Sequence, residues 1–131
     1  MDPLTVDPRR PAPPSRQLVE GLLDRIASGV LGPGERLPSV RALAADVLVN
    51  PNTVGKAYRD LEALGVAAGR TGSGVFVTDD ARERARELRG GETRDDLVRA
   101  WGAARAAGHR ENDLLTLLGV EPAVASEGNE R

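Results

Sequence analysis

The 131-residue chain has no cysteine, which excludes disulfides, thiol nucleophiles and thiolate metal sites. It has one histidine, His109, so multi-histidine zinc sites are excluded and any Ser-His-Asp arrangement would depend on that residue alone. His109 follows an Ala-Gly helix end and reads as loop. No metal, no cofactor and no catalytic residue is expected. Only Tyr58, Phe76 and Trp101 are aromatic. A core must then be built mainly from Leu, Val and Ala, which favours helices over a sandwich. No apolar run approaches the roughly 18 residues that mark a membrane span. The opening MDPLTVDPRR places acids and prolines where a signal peptide needs a basic start and an apolar run. The expectation is a cytoplasmic protein with no membrane partner. Positive charge is not abundant either, the formal net charge being −2. Residues 1–78 carry +1 (9 basic, 8 acidic) and residues 79–131 carry −3 (9 basic, 12 acidic). A local basic stripe still suffices for DNA binding, so the mean charge excludes little.

What is present is helical periodicity, interrupted at informative places. Five of the nine prolines fall in residues 1–14, and a flexible arm is expected over residues 1–12. Ser15 is expected to cap a first helix with Leu18, Leu22 and Ile26 on its inner stripe. GVLGPGERLPS then breaks regular structure, and Ser39 caps a short second helix with Val40, Leu43, Ala44 and Val47 inward. Three residues later Asn50 and Pro51 open a third helix as N-cap and first helical residue. Val54, Ala57, Tyr58, Leu61 and Leu64 form its buried stripe. The opposite face carries Asn52, Gly55, Lys56 and Arg59, with Thr53 at its edge. Two short helices joined so tightly form a helix-turn-helix.

After Gly65 the period changes. Val66–Gly69 and Val75–Val77 read as strands around Arg70-Thr71-Gly72-Ser73-Gly74. So small a hairpin must lean on the helices. The expected fold class is mainly α with a small β-hairpin: a winged helix-turn-helix over residues 13–79, a helical segment over 80–120 and a disordered tail over 121–131. In the helical segment, a stretch starting at Thr78 or Asp79 (Ala81, Ala85, Leu88) is expected to stop or kink at Gly90-Gly91. Thr93-Arg94-Asp95-Asp96 resembles a capping box for the next helix.

LPSVRALAADVLVNPNTVGKAYRDLEALG followed by GRTGSGVFV, with PGERLPS before it, resembles the DNA-binding domain of GntR-family bacterial transcription regulators. The short helical C-terminal region is similar to the YtrA-type branch, in which two helices mediate dimerisation. The resemblance implies a sequence-specific regulator, a dimeric repressor on an inverted-repeat operator in double-stranded DNA, and by association a neighbouring transporter operon. It implies that Arg41 reaches the DNA. It also marks departures: Ser15 in place of Tyr, Ala42 in place of Glu, Leu48 in the turn in place of Gly, and Gly55 where relatives carry a longer side chain.

The residues themselves support particular roles. The Arg41 guanidinium matches guanine O6/N7 or a phosphate in a two-pronged contact, or else pairs with Glu35 or Asp46. Asn52 and Thr53 lie in the first turn of the recognition helix, the part that enters the major groove, and Asn50 stands just before them. Lys56 is a phosphate contact; Arg59 either does the same or pairs with Glu62 or Glu35. The Tyr58 ring belongs to the core, with its hydroxyl free to reach a phosphate. Arg70 and the backbone of Thr71 and Gly72 form the wing tip, suited to entering the adjacent minor groove or gripping its phosphates. Val54, Leu61, Leu64, Val75 and Phe76 are core. Leu97, Trp101, Leu114, Leu115, Leu117 and Leu118 supply an apolar seam for a homodimer, since so few helices cannot readily enclose a ligand cavity. No effector is identifiable. The sole lysine, Lys56, lies on the recognition helix and is not a Schiff-base candidate, so catalysis is not expected. The competing reading is a winged-helix protein-interaction module that has lost DNA binding, kept open by Gly55 and the acidic C-terminal half.

Overall fold

Leu18, Val19, Leu22, Leu23 and Ile26 recur at helical spacing and are all buried, which makes α1 (Pro14–Ala27) the back of the core. The computed structural model describes residues 3–121 of the chain. In chain order, α1 is followed by α2 (Val40–Val47), α3 (Pro51–Ala63), the strands β1 (Ala67–Arg70) and β2 (Gly74–Val77), α4 (Ala81–Ala106) and α5 (Glu111–Leu117). Two compact units result, Met1–Glu92 and Thr93–Arg131.

The first unit is held by one apolar cluster. α3 contributes Val54, Ala57, Tyr58 and Leu61, and α2 contributes Leu43 and Ala44. Ser39 Oγ accepts from the Ala42 N–H at 3.1 Å, and Asn50 Oδ1 accepts from the Asn52 N–H at 2.7 Å, so both expected caps form. Ser15 is no cap: α1 starts at Pro14, with Pro13 before it, because a proline in the first turn needs no N–H partner. Leu48 ends α2 in the left-handed region at φ 60°, the only non-glycine among the described residues with positive φ. That backbone is what a tight helix-turn-helix demands, and here a leucine meets the demand with its side chain exposed.

β1 and β2 pair antiparallel, from Ala67 opposite Val77 to Arg70 opposite Gly74. A third segment, read in the sequence only as irregular, joins them. Arg36 bridges Phe76; the Leu37 N–H donates to the Val75 carbonyl at 2.8 Å, and the Val77 N–H donates to that of Glu35 at 2.9 Å. Residues 34–37 thus cover the outer edge of β2. Phe76 was expected in the core but is half-exposed, because the pairing puts it on the face opposite Val75 and Val77.

Residues 3–12, expected as a flexible arm, contain no helix or strand yet are tied to α1. The buried Gln17 donates through Nε2 to the carbonyls of Asp7 and Ala12, both at 2.9 Å, and accepts from the Asp7 N–H at 2.8 Å. Leu4 lies so close over Gly21 that a Cβ there would collide with its Cδ1. The Asp7 carboxyl is held below its usual range by hydrogen bonds from the Arg9 backbone and side chain.

α4 departs most from expectation. It runs unbroken through Gly90-Gly91, and Thr93 lies inside it instead of capping a new helix. Glycine costs about 1 kcal/mol in a helix but keeps its N–H, so two of them weaken the ladder without breaking it. The first turns of α4 belong to the first unit: Ala81 and Ala85 are fully buried in its core. Arg84 Nε donates to the Leu64 carbonyl at 3.0 Å and Arg86 Nε to that of Ala27 at 3.2 Å, closing the C-terminal ends of α3 and α1. Arg89 bonds Asp24 and Glu92, each at 2.7 Å. Burial alone would lower its pKa, but these carboxylates outweigh it and the net shift is upward. The first compact unit therefore includes the start of α4 and runs to Glu92. Almost all of the expected disordered tail, residues 122–131, lies outside the described residues.

Candidate nucleic-acid interface

The outward face of α3 is the centre of the site. Its inner residues Val54, Ala57, Tyr58 and Leu61 are buried, which at helical spacing turns Asn52, Lys56 and Arg59 to solvent, with Thr53 and Gly55 half-exposed between them. Asn50 stands at the same helix end, but its side-chain oxygen is used in capping, which leaves only its amide N–H groups for a partner. Lys56 Nζ pairs with Asp60 at 3.1 Å, both ends being well exposed. Such an i,i+4 surface pair is worth only about 0.3–0.5 kcal/mol and exchanges readily for a phosphate.

Arg41, in the first turn of α2, is exposed. It pairs with neither Glu35 nor Asp46; the Glu35 carboxylate instead accepts from the Gly32 N–H. Arg59 is likewise in no ion pair among the described residues, although Glu62 and Glu35 were its candidate partners. Most of the paired arginines of the first unit lie away from the helix-turn-helix. Arg9, Arg10 and Arg16, near α1, pair with Asp7, Glu20 and Glu92. Arg41 and Arg59, on the helix-turn-helix, are left uncompensated. An unpartnered guanidinium on an otherwise acid-balanced domain is suited to an anion supplied from outside.

The Tyr58 hydroxyl does not reach outward, contrary to expectation. It donates to the Pro38 carbonyl at 2.6 Å, and burial pushes its pKa up to about 12. At the wing tip the Ser73 N–H donates to the Arg70 carbonyl at 2.9 Å, with Thr71 and Gly72 between. Gly72 has φ 75°, as the third residue of a type II turn requires. Arg70 lies over the Phe76 ring, 4.2 Å from its centroid. Arg36 is a wing residue that the sequence reading missed: Gly74 has φ 111°, and a Cβ on it would lie 2.7 Å from Arg36 Nε. The available signal was the second glycine of Gly-Ser-Gly, which the turn itself does not need.

In the second unit, Leu97, Val98, Leu117 and Leu118 are 60%, 65%, 79% and 58% exposed, and Trp101 and Leu115 are half-buried. Leu114 differs from the other candidate seam residues, being turned inward at 7% exposure. Shallow apolar grooves run along this surface, one of about 330 Å³ lined by Leu97, Val98, Trp101, Leu115 and Leu118.

A helix-turn-helix that exposes two arginines unpaired among the described residues and one weakly paired lysine, with a β wing beside it, defines a winged-helix DNA-binding protein. Residues 14–77 match the bacterial regulatory proteins, gntR family. An HTH-type transcriptional regulator of Mycobacterium tuberculosis is 35% identical over 122 residues, covering 89% of this chain and 92% of its own. The HTH-type transcriptional repressor YtrA of Bacillus subtilis is 37% identical over 79 residues, 60% of this chain and 61% of its own length. Among solved structures, a GntR family transcriptional regulator from Listeria monocytogenes shares the fold with a TM-score of 0.70 at 24% identity, over 87% of this chain and 97% of that one. The DNA-binding domain of AraR, solved in complex with an operator, has a TM-score of 0.53 at 25% identity over 56% of this chain and 94% of that one. The chain belongs to the GntR family of DNA-binding transcription regulators, and these relatives are regulators, not enzymes.

Proposed function

We propose that the protein is a dimeric repressor that reads an inverted-repeat operator. Two copies join through the exposed apolar face of residues 97–118, and each presents α3 to one half-site. The carrying observation is the exposure of Leu97, Val98, Leu117 and Leu118 on a short helical unit. Apolar residues grouped in this way are a surface awaiting a partner, and a self-complementary two-fold contact matches a palindrome. One winged helix touches few base pairs, so linking two supplies specificity and avidity. Within each half-site, Arg41, Asn52 and Thr53 contact base edges or adjacent phosphates. Asn50, Lys56 and Arg59 hold the backbone, and Arg70, Thr71 and Gly72 reach the neighbouring minor groove or the phosphates along it. The printed name of the Bacillus relative favours repression over activation. Control of a nearby transporter operon follows from the branch resemblance alone.

The experiment is a gel shift on the region upstream of the gene, paired with sedimentation of the free protein. A dimer that shifts an inverted repeat, with affinity falling steeply with salt, is expected. A monomer that occupies single half-sites independently would overturn the dimeric reading.

A further inference from the structure

The outer face of the wing carries two guanidinium groups that cross each other's strand positions. Arg36 is bridged to Phe76, and Arg70 stands opposite Gly74. Cross-strand partners share a face and alternate residues of a strand return to it, so Arg36, Phe76, Gly74 and Arg70 all lie on one side. Arg36 reaches from beside Phe76 towards Gly74, where its Nε occupies the place a Cβ would crowd at 2.7 Å. Arg70 reaches the opposite way, to 4.2 Å from the Phe76 centroid. The two points of contact are two residues apart on β2, roughly 7 Å along the strand.

Neither arginine pairs with a carboxylate among the described residues. Glu62 approaches the hairpin at Gly69, where a Cβ would lie 3.2 Å from its Oε2. Gly69 is adjacent to Arg70 on β1 and so faces the other way, leaving this face without a counter-charge. Two like charges on so small a surface repel each other in the free protein. Both are nonetheless held in place, one by an aromatic face and one by a missing side chain. An aromatic face attracts the cation without consuming its N–H donors.

We propose that Arg36 and Arg70 form a phosphate clamp on the wing, closing together on one backbone phosphate of bound DNA. The clamp rests on the DNA-binding reading above and adds Arg36 to it. A phosphate between the guanidiniums removes their repulsion and takes charge-assisted hydrogen bonds from both. The contact carries no base information and therefore acts equally on operator and non-operator DNA.

The test measures binding of the full chain to a mixed-sequence duplex of fixed length, by fluorescence anisotropy at several salt concentrations. Each phosphate contact adds about 0.9 to the slope of log affinity against log salt. Arg36→Gln and Arg70→Gln each weaken binding, and the double variant loses about one unit of slope in all, because a single phosphate is released. Arg36→Lys, which keeps the charge, retains the wild-type slope, and melting curves show that the variants are folded. A double variant losing about two units means two separate phosphates, and one losing none means that neither residue touches DNA; either result overturns the clamp. If Arg36→Gln fails to fold, Arg70→Gln that binds the duplex with wild-type affinity at every salt concentration is sufficient to overturn it. Wild-type protein that binds no duplex at all would remove the DNA-binding reading itself, a failure distinct from the other two.

Discussion

The Tyr58 hydroxyl donates a 2.6 Å hydrogen bond to the carbonyl oxygen of Pro38, tying the buried face of α3 to the turn that leads into α2. The bond spans 20 residues and fixes the recognition helix against the segment that positions Arg41. Tyr58→Phe keeps the ring and loses only this bond, so a destabilisation of about 0.5–1.5 kcal/mol is expected in chemical denaturation.

The same residue predicts a pH dependence. Burial raises the Tyr58 pKa from 10.0 to about 12, so the folded state holds this proton more tightly than the unfolded state does. The associated stability is complete below the unfolded value and disappears as pH rises through the folded one. Wild type should thus lose stability between about pH 10 and pH 12 more steeply than Tyr58→Phe. Tyr58 is the sole tyrosine, so phenolate absorbance reports it directly. A native-state midpoint at the ordinary tyrosine value would contradict the buried geometry.

Arg41 is exposed, lies in the first turn of α2 and is in no ion pair among the described residues. Arg41→Ala should therefore leave the melting temperature unchanged while weakening operator binding by about 1–3 kcal/mol. Discrimination between operator and mixed DNA should fall with it. Wild-type affinity in a normally folded variant would remove Arg41 from the interface.

The position of α4 determines where the chain can be cut. Ala81, Ala85 and Arg89 secure its first turns to the winged unit, so a chain ending at Thr78 loses both core and ion pairs. A chain ending at Glu92 keeps them. The longer fragment should fold, sediment as a monomer and bind a full palindrome far more weakly than the intact protein. The shorter fragment should melt measurably lower than the longer. Dimerisation of the Glu92 fragment at micromolar concentration would place the seam outside residues 97–118.

The three helices, their inner stripes, the caps at Ser39 and Asn50 and the hairpin were legible because each is written in local spacing and chemistry. The segment 34–37 was not, since its pairing with β2 depends on a partner some 40 residues away. Continuous α4 was misread for the opposite reason: Gly90-Gly91 is a strong local signal for a break, outweighed by the helix on either side. At the site, the polar face of α3 could be read directly. The inward Tyr58 hydroxyl and the placement of Arg36 against Gly74 could not, because both depend on tertiary geometry.

Gly55 is the residue of α3 for which the protein itself has no use. A Cβ added there would meet only the Arg59 Nη1, at 3.5 Å, an ordinary contact with the end of a flexible side chain. Glycine within a helix costs roughly 0.5–1 kcal/mol relative to alanine, so Gly55→Ala should stabilise the free protein by that amount. No internal packing asks for glycine, which leaves two causes: close approach to DNA on the outward side shared with Asn52 and Lys56, or a tolerated loss. We expect Gly55→Ala to bind the operator more weakly despite its higher melting temperature, as close approach of the helix backbone to DNA requires. Equal or tighter binding would make Gly55 a tolerated loss, and alanine the better residue for both fold and function. No gain in stability would mean that position 55 meets something other than Arg59 and solvent, and the register of α3 from Asn52 to Arg59 would need to be redrawn.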